Sequence, residues 1–240
     1  MGVGRAYRIA GAATPIEPSL TFLLPRKLPR QARAHATVDA IVDACARLLA
    51  SGSYDALTTN SISERAGVSI GTLYEYFPNR ESIVAALTAA SCRRLVAALR
   101  RAARETRGMG DFEAIEHLLH TGVAALSAPE NVFRRLLQET PFVLRLPAFR
   151  EARATLDEIC QNIRAGAGDR VNLPEPQLDG WLISEMLFAA MLRIAIGRTD
   201  AAQHDLMVRE LARLTFRMAT GRDPEPEEAP ASATRRACLT

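Results

Sequence analysis

Aromatic residues are scarce in this 240-residue sequence, which has eight Phe, four Tyr and one Trp, and there are only four cysteines. Cys45, Cys92, Cys160 and Cys238 lie far apart and share no metal-ligand spacing. That excludes a zinc module and a disulfide framework, and the first three read as small core residues of a reducing cytoplasm. No apolar run reaches the roughly 18 residues of a membrane span, so no membrane is expected. Residues 1–8 carry two arginines without a sustained apolar stretch behind them, which argues against a secretory signal. Strong charge of either sign is also lacking. At a formal +3, the distribution of charge rather than its sum must decide whether nucleic acid is a partner. Alternating strand patterns, internal repeats, nucleophile elbows, phosphate loops and paired carboxylates with a base are all missing. An enzyme is therefore not expected, nor a cofactor or a bound metal.

Alanine, leucine and arginine dominate what remains, and all three lose little side-chain freedom in a helix. The fold class that follows is all-α. Helices are expected at about 34–51, 59–66, 70–77, 80–107, 112–126, 128–139, 149–165, 176–198 and 201–221. Gly52 sits at one stop, and Pro78 and Asn79 separate the third helix from a long fourth. Pro129, Pro141, Pro147, Pro174 and Pro176 fall at or between the later elements, as starts and breaks should. Four segments result. They are a flexible basic arm (1–30, closing on Arg26, Lys27 and Arg30, with Arg33 beyond), a helix-turn-helix unit (31–82), a helical bundle (83–221) and a disordered tail (222–240) rich in Pro, Glu and Ala.

The informative stretch is 57–87, LTTNSISERAGVSIGTLYEYFPNRESIVAAL. Thr59 can cap the second helix, leaving a hydroxyl and free N–H groups to face a phosphate. Ile62 and Ala66 point inward, and Gly67 supplies the left-handed residue that lets two helices cross steeply. Ser69 caps the third helix, which buries Leu73 and Phe77 while presenting Ile70, Gly71, Thr72, Glu75 and Tyr76. A short helix held in this way fits a major groove about 12 Å wide.

From Thr58 to Glu81 this string resembles the signature of the TetR family, with its LYxYF recognition helix and a basic residue after the break; the likeness extends over about 33–87. The resemblance implies a homodimeric DNA-binding regulator. Its DNA-contact set would be Thr59, Asn60, Ser69, Ile70, Gly71, Thr72, Tyr74, Tyr76 and Arg80. By the same resemblance, Thr59, Thr72 and Arg80 meet phosphate and Tyr74 lies along the backbone. Ile70 stands where relatives often place a hydrogen-bonding side chain, and could press on a thymine methyl instead; Asn60 could pair with adenine. Packing alone is the competing reading of Tyr74 and Tyr76, capping alone of Thr59, and simple solvation of the basic arm.

The resemblance also implies a palindromic operator, most often repressed, and a two-fold bundle made by the last two helices of each copy (about 176–198 and 201–221). Trp181–Ile183 and Met186–Ile196 are more apolar than one core stripe needs, with Ala189, Ala190 and Ala195 allowing close approach. Leu206, Leu211, Leu214, Phe216 and Met218 add to this surface. A small, mainly apolar effector is implied for the middle helices. Its candidate contacts are His117, His120, Phe133, Gln138, Phe142, Trp181, Glu185 and Met186. His117 and His120 share a stripe with Glu113 and Glu116, which reads as a solvated polar face rather than a metal site. The alternative function is a small-molecule-binding helical dimer, or an activator, without a repressor role.

Overall fold

In a computed structural model, residues 22–27, 29–127, 132–197 and 201–224 are described. The bulk of the basic arm, residues 225–240 of the tail with Cys238, and the expected helix start at 128–131 lie outside them. Among the described residues there are nine α-helices and no strand.

Helix α1 (Ala32–Ser51) turns Ile41, Ala44, Cys45 and Leu49 inward at three- and four-residue steps and stops at Gly52. Helix α2 (Thr59–Ala66) is capped by Thr58, not Thr59: the Thr58 hydroxyl accepts from Ser61 N, and Ser61 Oγ accepts from Thr58 N, each at 3.1 Å. A serine thus takes the place of the usual Glu or Gln in a reciprocal capping box. Gly67 follows at φ 69° and ψ 30°, the left-handed conformation that turns the chain into α3 (Ile70–Tyr76).

Helix α4 (Arg80–Glu105) opens with a second reciprocal box between Asn79 and Ser82 and runs for 26 residues, about 40 Å. It carries the chain from the three-helix unit into the larger bundle. By length and hydropathy α4 could cross a membrane, contrary to the expectation that no segment qualifies. Its apolar side chains, Ile83, Val84, Leu87, Leu95 and Leu99 among them, are buried within the protein itself.

The bundle comprises α5 (Asp111–Ser127), α6 (Val132–Glu139), α7 (Pro147–Ala167), α8 (Pro176–Ala195) and α9 (Ala201–Thr220). Short 3₁₀ turns at Pro141–Arg145 and Gly168–Arg170, not anticipated from sequence, join its parts. Prolines occupy the first turns of α7 and α8, where a missing N–H costs nothing. Helix α4 packs on α5 and α7, and α5 lies between α8 and α9. Gly122 of α5 permits a close approach: a Cβ there would fall 2.5 Å from Met191 Sδ of α8 and 3.4 Å from Leu99 of α4.

The end of the basic arm is not free. Leu23 is buried in the same core as Leu73, Phe77 and Ile83. Arg26 N donates to Tyr76 O at 2.8 Å, and Asn79 Nδ2 donates to Phe22 O at 3.1 Å. Leu23 is a single apolar residue in a basic, aperiodic segment, so no local pattern announced this docking.

Candidate DNA-reading head and bundle cavity

The α2–Gly67–α3 corner is closed by backbone and hydroxyl bonds. Gly67 N donates to Glu64 O and Val68 N to Ser63 O, both at 3.1 Å. Ser69 Oγ accepts from Thr72 N at 3.0 Å and lies 2.8 Å from Thr72 Oγ1. Leu73 and Phe77 fill the inner face of α3. Its outer face carries Ile70 and Tyr74, each 38% exposed, together with exposed Gly71 and Glu75. The Tyr74 hydroxyl sits 3.0 Å from Thr59 Oγ1, so the start of α2 and the outer face of α3 meet at one pair of hydroxyls. Asn60 is exposed beside them and Thr72 half-buried. Seven of the nine candidate contacts therefore share one surface.

Two do not behave as expected. Tyr76 is only 8% exposed. It falls three residues after Leu73 and one before Phe77, so helical geometry places it on the buried face; Lys27 Nζ lies 5.9 Å from its ring centroid. Arg80 is engaged inside the protein. Its Nη1 donates to Tyr54 O at 3.2 Å and to Leu57 O at 3.0 Å, and its Nε to Glu81 Oε1 at 3.2 Å. The guanidinium carbon stacks 4.3 Å from the Tyr54 ring centroid. Burial first, and then the Glu81 carboxylate, push the Tyr54 phenol up to about 12, so it stays a hydrogen-bond donor to Glu81 Oε1 at 3.2 Å.

The loop between α1 and α2, which carries these carbonyls, is also held by α6. Tyr54 N donates to Glu139 Oε2 at 2.6 Å, Arg135 Nη1 donates to Gly52 O, and Arg135 and Glu139 pair at 3.7 Å. Sequence reasoning missed this clamp. Its partners lie more than eighty positions apart, and surface arginines and glutamates four apart on a helix signal only a solvated pair.

The eight candidate effector residues are not brought together. His117 bonds Glu105 at 3.0 Å, and His120 lies 3.4 Å from Asp205, both on an ion-paired outer face. Phe133 is buried and stacked on Phe149 at 5.6 Å. Gln138 is exposed on α6, and Phe142 is half-buried in the 3₁₀ turn. Trp181 and Met186 face outward from α8, while Glu185 pairs with Arg153 of α7. A partly open cavity of about 90 Å³ lies elsewhere, bordered by α5, α7, α8 and α9. Ile115, Leu119, Leu156, Ile163, Leu187 and Met191 supply most of its apolar wall, and none of the eight candidates lines it.

Outside the cavity, α8 exposes Leu178, Trp181, Leu182 and Met186, and α9 exposes Leu206, Met207, Leu214 and Met218. Two residues expected on that surface turn inward: Ala195 is buried, and Phe216 packs edge-on against Phe112 at 6.0 Å.

Comparison with known proteins agrees with this architecture. The family model for bacterial regulatory proteins of the tetR family matches residues 41–87. The chain is 36% identical over 55 residues to the HTH-type transcriptional repressor KstR of Rhodococcus jostii, covering 23% of this chain and 26% of that protein. It is 35% identical over 63 residues to KstR of Mycolicibacterium smegmatis, covering 26% and 31%. The match thus spans about a quarter to a third of the length of these curated relatives. At the level of fold the likeness is broader. The fatty acid degradation regulator FadR of Bacillus halodurans superposes with a TM-score of 0.62 at 20% identity, over 79% of this chain and 97% of that one. A TetR-family regulator of Mesorhizobium loti gives 0.61 at 16% identity, over 78% and 98%. Residues 41–87 thus match the reading head of the bacterial tetR-family regulators, and the chain as a whole shares the all-helical fold of solved regulators of that kind.

Proposed function

We propose that this chain is a transcriptional repressor that binds a palindromic operator as a homodimer and leaves it when a small, mainly apolar effector fills the bundle cavity. The observation that carries the DNA-binding part is the paired hydroxyls of Thr59 and Tyr74, 3.0 Å apart at the foot of an exposed recognition helix. One of the two protons lies between them and the other is left to donate to a phosphate oxygen, and the uncapped N–H groups of Thr59 and Asn60 at the start of α2 add to that surface. Ile70 and Gly71 sit where base edges would lie, with Ile70 offering apolar contact to a thymine methyl. Ser69 and Thr72 flank them. Arg80 serves chiefly by fixing the loop behind α2, with its remaining guanidinium nitrogen left for phosphate. The repressor mode rests on the likeness to the two KstR proteins, over 55 and 63 residues.

The exposed apolar faces of α8 and α9 support dimerisation, because a continuous row of Leu, Met and Trp rarely stays in water. A two-fold pairing through them would set two recognition helices roughly 34–36 Å apart, one turn of duplex. The effector part is supported by the cavity's floor, where Met191 closes on Gly122 of α5, and α5 in turn packs on α4, the helix that begins at the reading head.

Fluorescence anisotropy of the full chain on a labelled duplex from upstream of its own coding region tests the reading. Neutralising six to ten phosphates predicts that affinity falls about 10³- to 10⁵-fold between 50 and 200 mM salt. Tyr74→Ala is expected to weaken binding without changing helicity. A flat salt response, or undiminished binding by Tyr74→Ala, would refute it.

A further inference from the structure

We infer that the effector is an anion, an alkyl monocarboxylate whose head group meets Arg164 and whose chain lies along the apolar wall. The inference rests on the reading of the cavity as the effector site. One end of the cavity is polar: Asp111 from the start of α5, Arg164 from the end of α7, and Thr220 from the end of α9. Towards the other end it is lined by Leu119, Leu156, Leu187 and Met191. A slot with one charged rim and an apolar floor fits an amphipathic molecule in one orientation.

Arg164 is the cation free to receive that head. Asp111, the carboxylate in the lining, is already committed to Arg170, at 2.7 and 3.2 Å. Asp157, near it on α7, accepts from Ser184 and Gln161, and Asp179, at the start of α8, accepts from Glu175 N. Among the described residues no carboxylate pairs with Arg164. The fold also makes room for this guanidinium. Gly180 of α8 is buried, and a Cβ there would fall 1.4 Å from Arg164 Nη1, so the side chain lies across α8 only because residue 180 is glycine. Its fork of donors suits a carboxylate in two-point contact. A dianionic phosphate fits less well, since one guanidinium would face two charges with Asp111 close by.

Size limits the chain. About 90 Å³ leaves room for roughly six water-sized positions, which corresponds to a chain of about six carbons. Hexanoate and 1-hexanol therefore share the tail and differ in the head.

Isothermal titration of the full-length protein at neutral pH, where hexanoate is ionised, separates the contributions. Hexanoate is expected to bind roughly ten- to a hundredfold more tightly than 1-hexanol, the range for a charge-assisted hydrogen bond. Arg164→Gln should abolish that preference. Gly180→Ala, which favours helix and only displaces the guanidinium, should reduce it independently. Equal affinity for the two probes in the wild-type protein, or a preference that survives both substitutions, would overturn the anionic assignment and leave the cavity reading intact. Binding of neither probe would overturn both.

Discussion

Replacing Arg80 with alanine separates two roles that the sequence alone could not distinguish. If the guanidinium serves mainly DNA, its loss leaves the free protein unaltered. If it serves the fold, the free protein loses stability. The geometry favours the second, because Nη1 reaches two backbone carbonyls, Tyr54 O at 3.2 Å and Leu57 O at 3.0 Å. Hydrogen bonds from a charged donor contribute about 1.5–3 kcal/mol each when well buried. The Arg80 side chain is 30% exposed, so water screens part of this, and about 2–3 kcal/mol for the pair is a reasonable sum. Stacking on Tyr54 adds about 0.5–1 kcal/mol. For a chain of this length each kcal/mol shifts the melting temperature by about 2–4 °C, so Arg80→Ala should melt about 5–16 °C lower without DNA. Arg80→Lys keeps the charge but loses the fork and should recover only part of the loss. Thermal unfolding followed by circular dichroism on the DNA-free protein gives the answer. A melting temperature within about 1 °C of wild type, combined with weakened operator binding, would refute the structural role and return Arg80 to the phosphate.

Other consequences follow from single features. Gly67 holds φ 69° with open space around its missing Cβ, so Gly67→Ala should cost about 1–2 kcal/mol from backbone strain alone, read as a lower melting temperature; no change would mean that the corner relaxes. Leu182→Glu combined with Leu214→Glu places charge on both exposed apolar helix faces, and light scattering should then record the monomer mass; a persistent dimer would move the interface elsewhere. Burial pushes the Cys45 and Cys92 thiols up to about 12, so both stay protonated at pH 8. Peptide mapping after iodoacetamide treatment should find them unmodified in native protein and labelled in guanidinium. Rapid native labelling would show that these helices open far more readily than their packing implies.

The reading head was legible because its signals are local. Thr58, Gly67, Ser69 and Asn79 each act on backbone within three residues, and α2 begins and ends where the sequence placed it. The choice between Thr58 and Thr59 as cap was not legible, since two consecutive threonines offer the same hydroxyl. Tyr76 is different: its spacing from Leu73 and Phe77 already assigned it to the inner face, and the aromatic tip outweighed the period. The internal role of Arg80 depends on carbonyls 23 and 26 positions away, which no local pattern reports. The cavity was hidden for another reason. Helix α8 is apolar nearly all round, so composition cannot tell Ile183, Leu187 and Met191, which turn into the cavity, from Trp181, Leu182 and Met186, which turn away.

On the proposed reading, the pattern of bonds also constrains how a ligand could act on DNA. Within the head, Gly67 and the Thr59–Tyr74 pair fix α2 against α3, so the recognition surface has little freedom to change shape. Among the described residues, two connections join head and bundle. One is the unbroken α4, and the other is the clamp of Glu139 and Arg135 on the α1–α2 loop. A ligand that lifts Met191 off Gly122 would shift α5, which packs on α4, and so push on the first while the second holds α6 to the loop. Two attachments displaced unequally turn a rigid body rather than melt it. The quantity that changes is therefore the separation of two heads across a dimer. Operator affinity then falls only by the difference in ligand affinity between the two spacings, typically about 1–3 kcal/mol. A cavity this small suffices for such a response, because the ligand needs only to bias which of two head spacings the dimer adopts.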